Sequence, residues 1–176
     1  MVFRDPVFSI NLKETKIFLR KIGDAHLSLD FSAELHLRNV DDDFIESCNY
    51  AKIKWLKFGI ESALPEVRDS VKRFSVSNDQ QKNIIEKLRK ANIKTVGMFI
   101  LVQPEDTIKT CEQTIKYACS LNLDIAQFSI FTPYPGTPYF DKNYATSNFQ
   151  KYQDIPLFYH QIKTFYVNLE NKILFL

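Results

Sequence analysis

IKTVGMFILV, residues 93 to 102, is the stretch of sequence that decides the fold. Its nearly continuous apolar character is typical of a strand that is covered on both faces, as strands of parallel sheets are. Pro104 ends the strand, and a helix is predicted from about Asp106 to Leu121. A capping box at residues 77–80 begins another helix before the strand. The stretch therefore predicts a helix–strand–helix unit of an α/β protein.

The same alternation of helix and strand extends in both directions. Helical patterns run from about Asn11 to Ile22 and from Asp41 to Tyr50. Strand patterns occupy residues 25–31 (AHLSLDF), 53–60 (IKWLKFGI) and 124–131 (DIAQFSIF). Repeated strand–helix–strand units predict parallel strands with right-handed crossovers. An incomplete barrel and an open doubly wound sheet both satisfy this pattern, and periodicity alone does not separate them.

Composition and charge exclude several classes of protein. The chain has 176 residues and a net charge of +2, which is too small to argue for nucleic acid or an anionic membrane as a partner. No apolar run reaches the roughly 18 residues that a membrane span needs. An aspartate and a proline interrupt the N-terminus where a signal peptide would be apolar, so the expected compartment is the cytoplasm.

The three cysteines predict neither disulfides nor a metal site. Cys48, Cys111 and Cys119 are odd in number and widely spaced, whereas metal motifs place ligands within a few residues of one another. Each lies among apolar residues of a predicted helix, which indicates a buried, unreactive thiol. The phosphate-binding motifs GxGxxG and GxxxxGKS/T are also absent from the sequence.

Polar residues follow the predicted strands, at the positions where parallel barrels place their sites. We expect a ring of polar groups at this rim, formed by Arg4, Asp5, Glu34, His36, Glu61, Ser62, Gln103, Asp106, Gln127 and Ser129. Such a ring would suit a polar cofactor. Gly97, inside an apolar strand, indicates that a backbone or a ligand approaches closely there.

Several of these residues also have a structural interpretation. Glu61 and Ser62 could cap the next helix, and Asp5 could close a turn. Asp106 and its neighbour Glu105 suit the first turn of a helix, where acids complement the helix dipole.

Glu34 also has two interpretations that involve chemistry. With His36 it could form an acid–base pair, although ordinary hydrogen bonding is the favoured explanation of both residues. With Glu61 it would suit a glycoside hydrolase, but the sequence does not fix the carboxylate separation on which that reaction depends.

Four motifs occur in the order and spacing of radical S-adenosylmethionine (SAM) enzymes. They are FRDPVFS at 3–9, FGIES at 58–62, GMFI at 97–100 with Pro104, and TPYPGTP at 132–138. The chain most resembles the class that often carries a cobalamin-binding domain, which includes methyltransferases, methylthiotransferases and anaerobic ring cyclases. The resemblance covers about residues 1–140 and leaves residues 141–176 as a C-terminal extension.

The resemblance implies an incomplete parallel (β/α) barrel, from the end of the family's strand two to its strand six. Complete members bind a [4Fe–4S] cluster through CxxxCxxC and cleave SAM reductively to a 5′-deoxyadenosyl radical. By resemblance, Arg4–Asp5 lie near the methionine end of SAM, and Glu61–Ser62 lie near its ribose. The strands that carry Gly97 and Gln127 would flank the adenine.

The chain departs from the family pattern in two ways. CxxxCxxC is absent, so this sequence supplies no cluster ligands. Val102, Glu105 and Ala63 stand where the family usually has glycine, and the loss of a glycine can impair close approach to SAM. We therefore expect a truncated or split enzyme fragment, inactive alone, whose partner is an upstream polypeptide that carries the cluster motif. The alternative is a non-catalytic binding module, or a decayed remnant, that keeps the half-barrel.

Overall fold

The computed structural model describes residues 1–3, 7–27, 30–70 and 76–132, together with the backbone of 164–168 and 172–174. Arg4 and Asp5 lie outside these described residues, as does the TPYPGTP loop beyond Thr132.

Helices and strands alternate along the chain as the sequence predicts. The helices are α1 (Leu12–Asp24), α2 (Asp42–Tyr50), α3 (Pro65–Ser70), α4 (Asn78–Lys90) and α5 (Ile108–Ser120), with a 3₁₀ turn at Leu37–Asn39. The strands are β1 (Phe31–Leu35), β2 (Ile53–Glu61), β3 (Lys94–Leu101), β4 (Ile125–Ile130), β5 (Thr164–Asn168) and β6 (Lys172–Leu174).

The strand order decides between the two architectures that the sequence left open. The strands lie in the sheet in their chain order, β1 to β6, and the first four are parallel. Because parallel crossovers are right-handed, consecutive parallel neighbours place all their helices on the same face of the sheet. A doubly wound sheet would instead reverse its strand order and cover both faces. The predicted incomplete (β/α) barrel is therefore confirmed.

Both edges of the parallel sheet are extended. Val2 forms an isolated parallel bridge with Ser32 of β1, and the Phe3 N–H donates to the Ser32 carbonyl over 2.9 Å. At the opposite edge β5 pairs antiparallel with β4, and β6 pairs antiparallel with β5. The predicted C-terminal extension thus contributes strands to the same sheet.

Four helices begin at residues whose side chains cap them. The Asn11 side chain accepts from the Glu14 N–H (3.3 Å), and the Asp41 carboxylate accepts from the Phe44 N–H (2.7 Å). Ser77 forms the predicted capping box at α4. Thr107 caps α5, so that helix begins slightly later than predicted. These side chains satisfy N–H groups that a helix start otherwise leaves unpaired.

The first predicted strand, at residues 25–31, was wrong. Helix α1 continues to Asp24, and Ala25 and His26 close it with N–H bonds back to its last turn. The strand instead spans Phe31–Leu35, so Glu34 lies within β1 rather than after it. The alternating pattern of AHLSLDF indicates a strand, but its first two residues, Ala25 and His26, form the end of helix α1.

The two faces of the parallel sheet differ sharply in burial. Leu56, Phe58, Phe99 and Phe128 point towards the helices, and each is at most 1% exposed. The Phe99 and Phe128 rings stack with their centroids 5.1 Å apart. These residues form one core with side chains of α4 and α5.

The opposite face, here called the inner face, is mostly partly exposed and mixed in character. Side chains alternate between faces along a strand, so the register identifies its members. They include Ser32, Glu34, Trp55, Lys57, Gly59, Met98, Ile100, Gln127 and Ser129. In a barrel this face is the interior, and a ligand at the strand ends would rest on it.

Within the described part of the chain, no helix combines the length and apolarity required to cross a lipid bilayer.

Four helices end in an unusual way. The second residue after each of α1, α2, α4 and α5 has a left-handed backbone, and none of these residues is glycine. They are His26 (φ 46°), Lys52 (φ 58°), Asn92 (φ 56°) and Asn122 (φ 52°). Glycine is the usual residue here because it adopts this conformation without steric cost. Asparagine adopts it at little cost, whereas lysine adopts it only with steric strain.

Replacing Lys52 with glycine tests this strain. Lys52 is exposed, so Lys52→Gly removes little packing and should raise the free energy of unfolding by up to about 1 kcal/mol. Urea denaturation measures the change. Lys54→Gly is the matched control, because Lys54 is also exposed but lies in β2, where glycine should destabilise the fold. A decrease in stability for Lys52→Gly would contradict the prediction.

Candidate functional site

The carboxyl ends of β2 and β3 share an unusual arrangement. Glu61 (φ 68°) and Val102 (φ 64°) both have left-handed backbones where their strands end. Each is followed by a buried polar residue: Ser62 is 0% exposed, and Gln103 is 1% exposed. Because the two strands are parallel neighbours, both arrangements lie at the same rim. Left-handed non-glycine residues often occur at functional sites, which makes this rim the candidate site.

Glu61 lies at the centre of a three-residue turn. The Ser62 N–H donates to the Ile60 carbonyl over 2.9 Å, which defines a γ-turn, and a positive φ at its centre is the rare, strained form. The pairing of β2 with β3 shifts register between Gly59 and Glu61. Below, this segment is called the Glu61 turn (residues 60–62). The turn interrupts the regular pairing with β3 at the point where the Glu61 side chain leaves the strand.

The Glu61 carboxylate folds back over Gly59. A Cβ atom placed on Gly59 would stand 2.8 Å from Oε1 of Glu61, closer than real contacts allow. Gly59 belongs to the inner face, so the carboxylate lies over the inner face while Glu61 is only 7% exposed. Glycine at position 59 therefore makes room for the acid that the sequence singled out.

Ser62, the second predicted residue of this motif, lies beneath the turn. Its Oγ is 3.2 Å from Oγ1 of Thr114 on α5, and it accepts from the Leu64 N–H over 3.2 Å. The hydroxyl is thus engaged inside the protein, next to the start of α3, as the capping interpretation suggested. The predicted place of Ser62 near a ribose stays a prediction.

Asp106 organises the loop after β3. Its carboxylate accepts from the Gln103 N–H (2.9 Å) and from Oγ1 of Thr110 (2.8 Å), while its own N–H donates to the Gln103 carbonyl (2.8 Å). These contacts support the helix-start interpretation of Asp106. The Gln103 side chain donates to the Ile100 carbonyl over 3.2 Å, and its buried Oε1 has no hydrogen-bond partner among the described residues.

Three positions have another residue where the family usually has glycine, and only one of them has a strained backbone. Val102 is β-branched and left-handed, a combination that is a genuine outlier. Ala63 and Glu105 are not among the left-handed residues of the described chain, so alanine and glutamate are tolerated there. The departure from the family pattern thus matters sterically at the end of β3.

Gly97 is required by packing against the helix side of the sheet. A Cβ there would stand 2.5 Å from Cδ1 of Leu123 and 3.0 Å from atoms of Ile60 and Phe99. The close approach that the sequence indicated is present, and the approaching groups are core side chains. A role of Gly97 towards an adenine stays a prediction.

The remaining predicted rim residues are spread over the sheet. Gln127 lies on the inner face, half-buried and opposite Met98. Glu34 lies near the edge of the inner face, exposed, with its carbonyl accepting from the Phe8 N–H over 2.9 Å. His36 precedes the 3₁₀ turn. Gln127 lies in the first half of β4, two strands away from Glu61, so the sheet does not bring it to the rim beside Glu61.

The cysteine prediction holds for two of the three thiols. Cys48 and Cys111 are buried, and desolvation raises the pKa of both, that of Cys111 to about 11. Cys119 was predicted to be buried and is exposed, because it lies on the solvent side of α5. Among the described residues, no group of three or more histidine, cysteine or carboxylate side chains could hold a metal ion.

Sequence reasoning missed a layer of polar residues under the Glu61 turn. They come from three helices and comprise Arg68, Asn78, Gln81, Thr114 and Tyr117. Because they lie up to about fifty positions apart in the chain, no local motif could have grouped them.

Comparison with known proteins identifies the family. The model of the radical SAM superfamily matches residues 5–118. The chain belongs to the radical SAM superfamily. This match contains the FGIES and GMFI motifs, and it bears out the resemblance that the sequence indicated.

Relatives of this radical SAM chain include methyltransferases, methylthiotransferases and cyclases. An uncharacterized methyltransferase of Pyrococcus horikoshii is 28% identical over 158 residues, which are 87% of this chain and 34% of that protein. The tRNA-2-methylthio-N(6)-dimethylallyladenosine synthase of Buchnera aphidicola is 34% identical over 55% of this chain and 22% of its own length. The anaerobic magnesium-protoporphyrin IX monomethyl ester cyclase of Cereibacter sphaeroides is 29% identical over 74% and 16% respectively.

A solved structure has the same fold. The radical SAM methyltransferase TsrM from Kitasatospora setae, with cobalamin and a [4Fe–4S] cluster bound, superposes with a TM-score of 0.67 at 16% identity. The match covers 73% of this chain and 25% of TsrM. The chain therefore spans about a third or less of the length of these relatives.

The strain at Val102 can be measured by comparing alanine with glycine. Val102→Ala and Val102→Gly both lose the buried side chain, but only glycine relieves the left-handed backbone. Val102→Gly should therefore be about 1 kcal/mol more stable than Val102→Ala in urea denaturation. At Ala63, which has no left-handed backbone, Ala63→Gly should instead lose up to about 1 kcal/mol. If the alanine-to-glycine difference in unfolding free energy had the same sign at positions 102 and 63, the assignment of strain to Val102 would be contradicted.

Proposed function

We propose that this chain is the SAM-binding half of a radical SAM barrel and that it cannot cleave SAM by itself. The observation that supports the proposal most is the Glu61 carboxylate, which a strained turn holds over the inner face at the carboxyl ends of the strands. Strain of this kind is maintained when the surrounding structure over-determines it, as at ligand sites. Membership of the radical SAM superfamily supports SAM as the ligand.

The residues present suit SAM. A carboxylate accepts hydrogen bonds from two neighbouring hydroxyls, so Glu61 would hold the ribose. The inner face beside it offers Met98 and Ile100 as an apolar surface for adenine, with Gln127 as a polar contact at its edge. Arg4 and Asp5, outside the described residues, remain proposed contacts of the methionine end. When bound, SAM supplies a sulfonium-linked adenosyl group.

The residues present do not suit a [4Fe–4S] cluster. Cluster ligands are closely spaced thiolates, and the sequence has no CxxxCxxC. Burial raises the pKa of Cys48 and Cys111, so at neutral pH both stay protonated. Cys119, though exposed, cannot ligate a cluster alone.

We propose that an upstream polypeptide with the cluster motif completes the barrel at the edge where residues 1–3 extend the sheet beside β1. Apolar side chains are exposed at this edge, just before α1 and on α1 itself: Val2 is 51% exposed, Ile10 84% and Phe18 44%. Phe3 stacks on Phe8, and Phe18 packs edge-on against both rings, so the exposed Phe18 belongs to an aromatic cluster. Exposed sheet edges and apolar patches are typical of surfaces that another polypeptide covers.

The alternative function is a non-catalytic binding module. The strained backbone of Val102 favours this alternative. The family has glycine at this position, and its replacement by valine is easier to explain if the backbone no longer needs to approach SAM closely. The two functions differ in one property. A split enzyme must form radicals once a cluster-bearing polypeptide is added, whereas a binding module does not.

SAM binding by the isolated chain tests the proposed site. Wild-type protein should bind SAM in equilibrium dialysis. Glu61→Gln should weaken binding by about tenfold or more, since hydrogen bonds to a charged group contribute about 1.5–3 kcal/mol. Glu105→Gln is the matched control at the same rim, because Glu105 is exposed in the loop after β3. No binding by wild type, or equal losses for the two variants, would contradict the proposal.

A further inference from the structure

A buried arginine lies directly under the Glu61 turn. Arg68 of α3 is 2% exposed, and its Nη1 donates to the Ser62 carbonyl (2.7 Å) and to Oδ1 of Asn78 (2.9 Å). Its buried Nε has no hydrogen-bond partner among the described residues. Burying a guanidinium is costly, and desolvation lowers the pKa of Arg68 accordingly. Because burying Arg68 is costly, we expect an interaction that offsets this cost.

Arg68 completes the hydrogen bonding of the peptide groups that follow Glu61. The Ser62 N–H is held by the Ile60 carbonyl, and the Ser62 carbonyl is held by Arg68. The next N–H, that of Ala63, donates to Oγ1 of Thr114 over 3.2 Å. The backbone on the C-terminal side of Glu61 is therefore fixed at three consecutive polar groups.

Asn78 holds Arg68 in place, and Tyr117 lies one contact further from the turn. Nδ2 of Asn78 donates to the Ala63 carbonyl over 2.9 Å, so Asn78 links Arg68 to the same loop. The Tyr117 hydroxyl donates to Oε1 of Gln81 (2.9 Å) and lies 3.3 Å from the Asn78 carbonyl. Burial raises the pKa of Tyr117 to about 12, so this donor stays protonated at neutral pH. Helices α3, α4 and α5 thus converge on one turn.

The bond between Arg68 and Ser62 is charge-assisted and buried, which makes it the strongest of these contacts. It also reaches the turn from the side opposite to the inner face, where the Glu61 carboxylate lies. Arg68 therefore acts on the carboxylate through the backbone, without contact with a ligand on the inner face.

We propose that Arg68 is a positioning residue, which fixes the Glu61 carboxylate for SAM by holding the Ser62 carbonyl. The inference rests on the proposed function, since it takes Glu61 to be a SAM contact. Without Arg68 the Ser62 peptide group can rotate, and the left-handed conformation of Glu61 loses its support.

The experiment compares three variants for SAM affinity and for local hydrogen exchange. Arg68→Met keeps an unbranched apolar side chain along the first part of the arginine stem but removes every donor. Arg68→Lys keeps the charge and one compact donor group. Tyr117→Phe is the control, because it removes a hydroxyl from the same network and leaves the Arg68–Ser62 bond intact.

We expect Arg68→Met to bind SAM about tenfold or more weakly than wild type, Arg68→Lys to fall between them, and Tyr117→Phe to stay within about twofold. Amide exchange at Ser62 and Ala63 should become faster in Arg68→Met, with the protection of β3 and β4 unchanged. Wild-type affinity in Arg68→Met, or an equal loss in Tyr117→Phe, would overturn the proposal.

Hydrogen exchange separates this proposal from the proposed function. If wild-type protein binds no SAM, the proposed function fails, and exchange at Ser62 still decides whether Arg68 holds the turn. Unchanged exchange at Ser62 in a folded Arg68→Met protein overturns the positioning role whatever the affinity. If Arg68→Met does not fold, Arg68→Lys supplies the same two measurements, with a smaller expected change.

Discussion

A single γ-turn at the end of β2 is the constraint on which the site depends. An acidic residue is held there with a left-handed backbone, and Gly59 leaves the space that its carboxylate occupies. Three helices supply the hydrogen bonds that keep the following peptide groups in place. The turn has a rigid base because the side chains beside it on the helix side of the sheet, such as Phe58, Ile60 and Phe99, are fully buried.

Much of the fold could be predicted from the sequence because its signals are local. Asn11, Asp41 and Ser77 each place a capping side chain next to the N–H groups that it satisfies, so these helix starts are confirmed. The apolar stretch at 93–102 is confirmed as a buried strand. The strand at 25–31 was wrong because α1 continues to Asp24 and is closed by Ala25 and by a left-handed His26, a position that glycine usually occupies.

The site could be predicted only in part, because its supports are distant in sequence. Glu61 followed from its place after a strand and from the family motif. Arg68 and Thr114 could not be predicted, because they contact the turn from helices that are distant in sequence. No local sequence pattern describes how those helices pack against it. Val102 shows the opposite case: the sequence marked it as a departure from the family, and only its φ of 64° shows that the departure is sterically strained.

We propose that this chain holds SAM and has no place for an iron–sulfur cluster. Anaerobic reconstitution of the purified chain with iron, sulfide and SAM, followed by reduction with dithionite, tests both parts in one sample. We expect bound SAM to be recovered intact, no stoichiometric cluster, and no 5′-deoxyadenosine. A cluster of four irons per chain together with 5′-deoxyadenosine would contradict the account, as would a chain that retains no SAM.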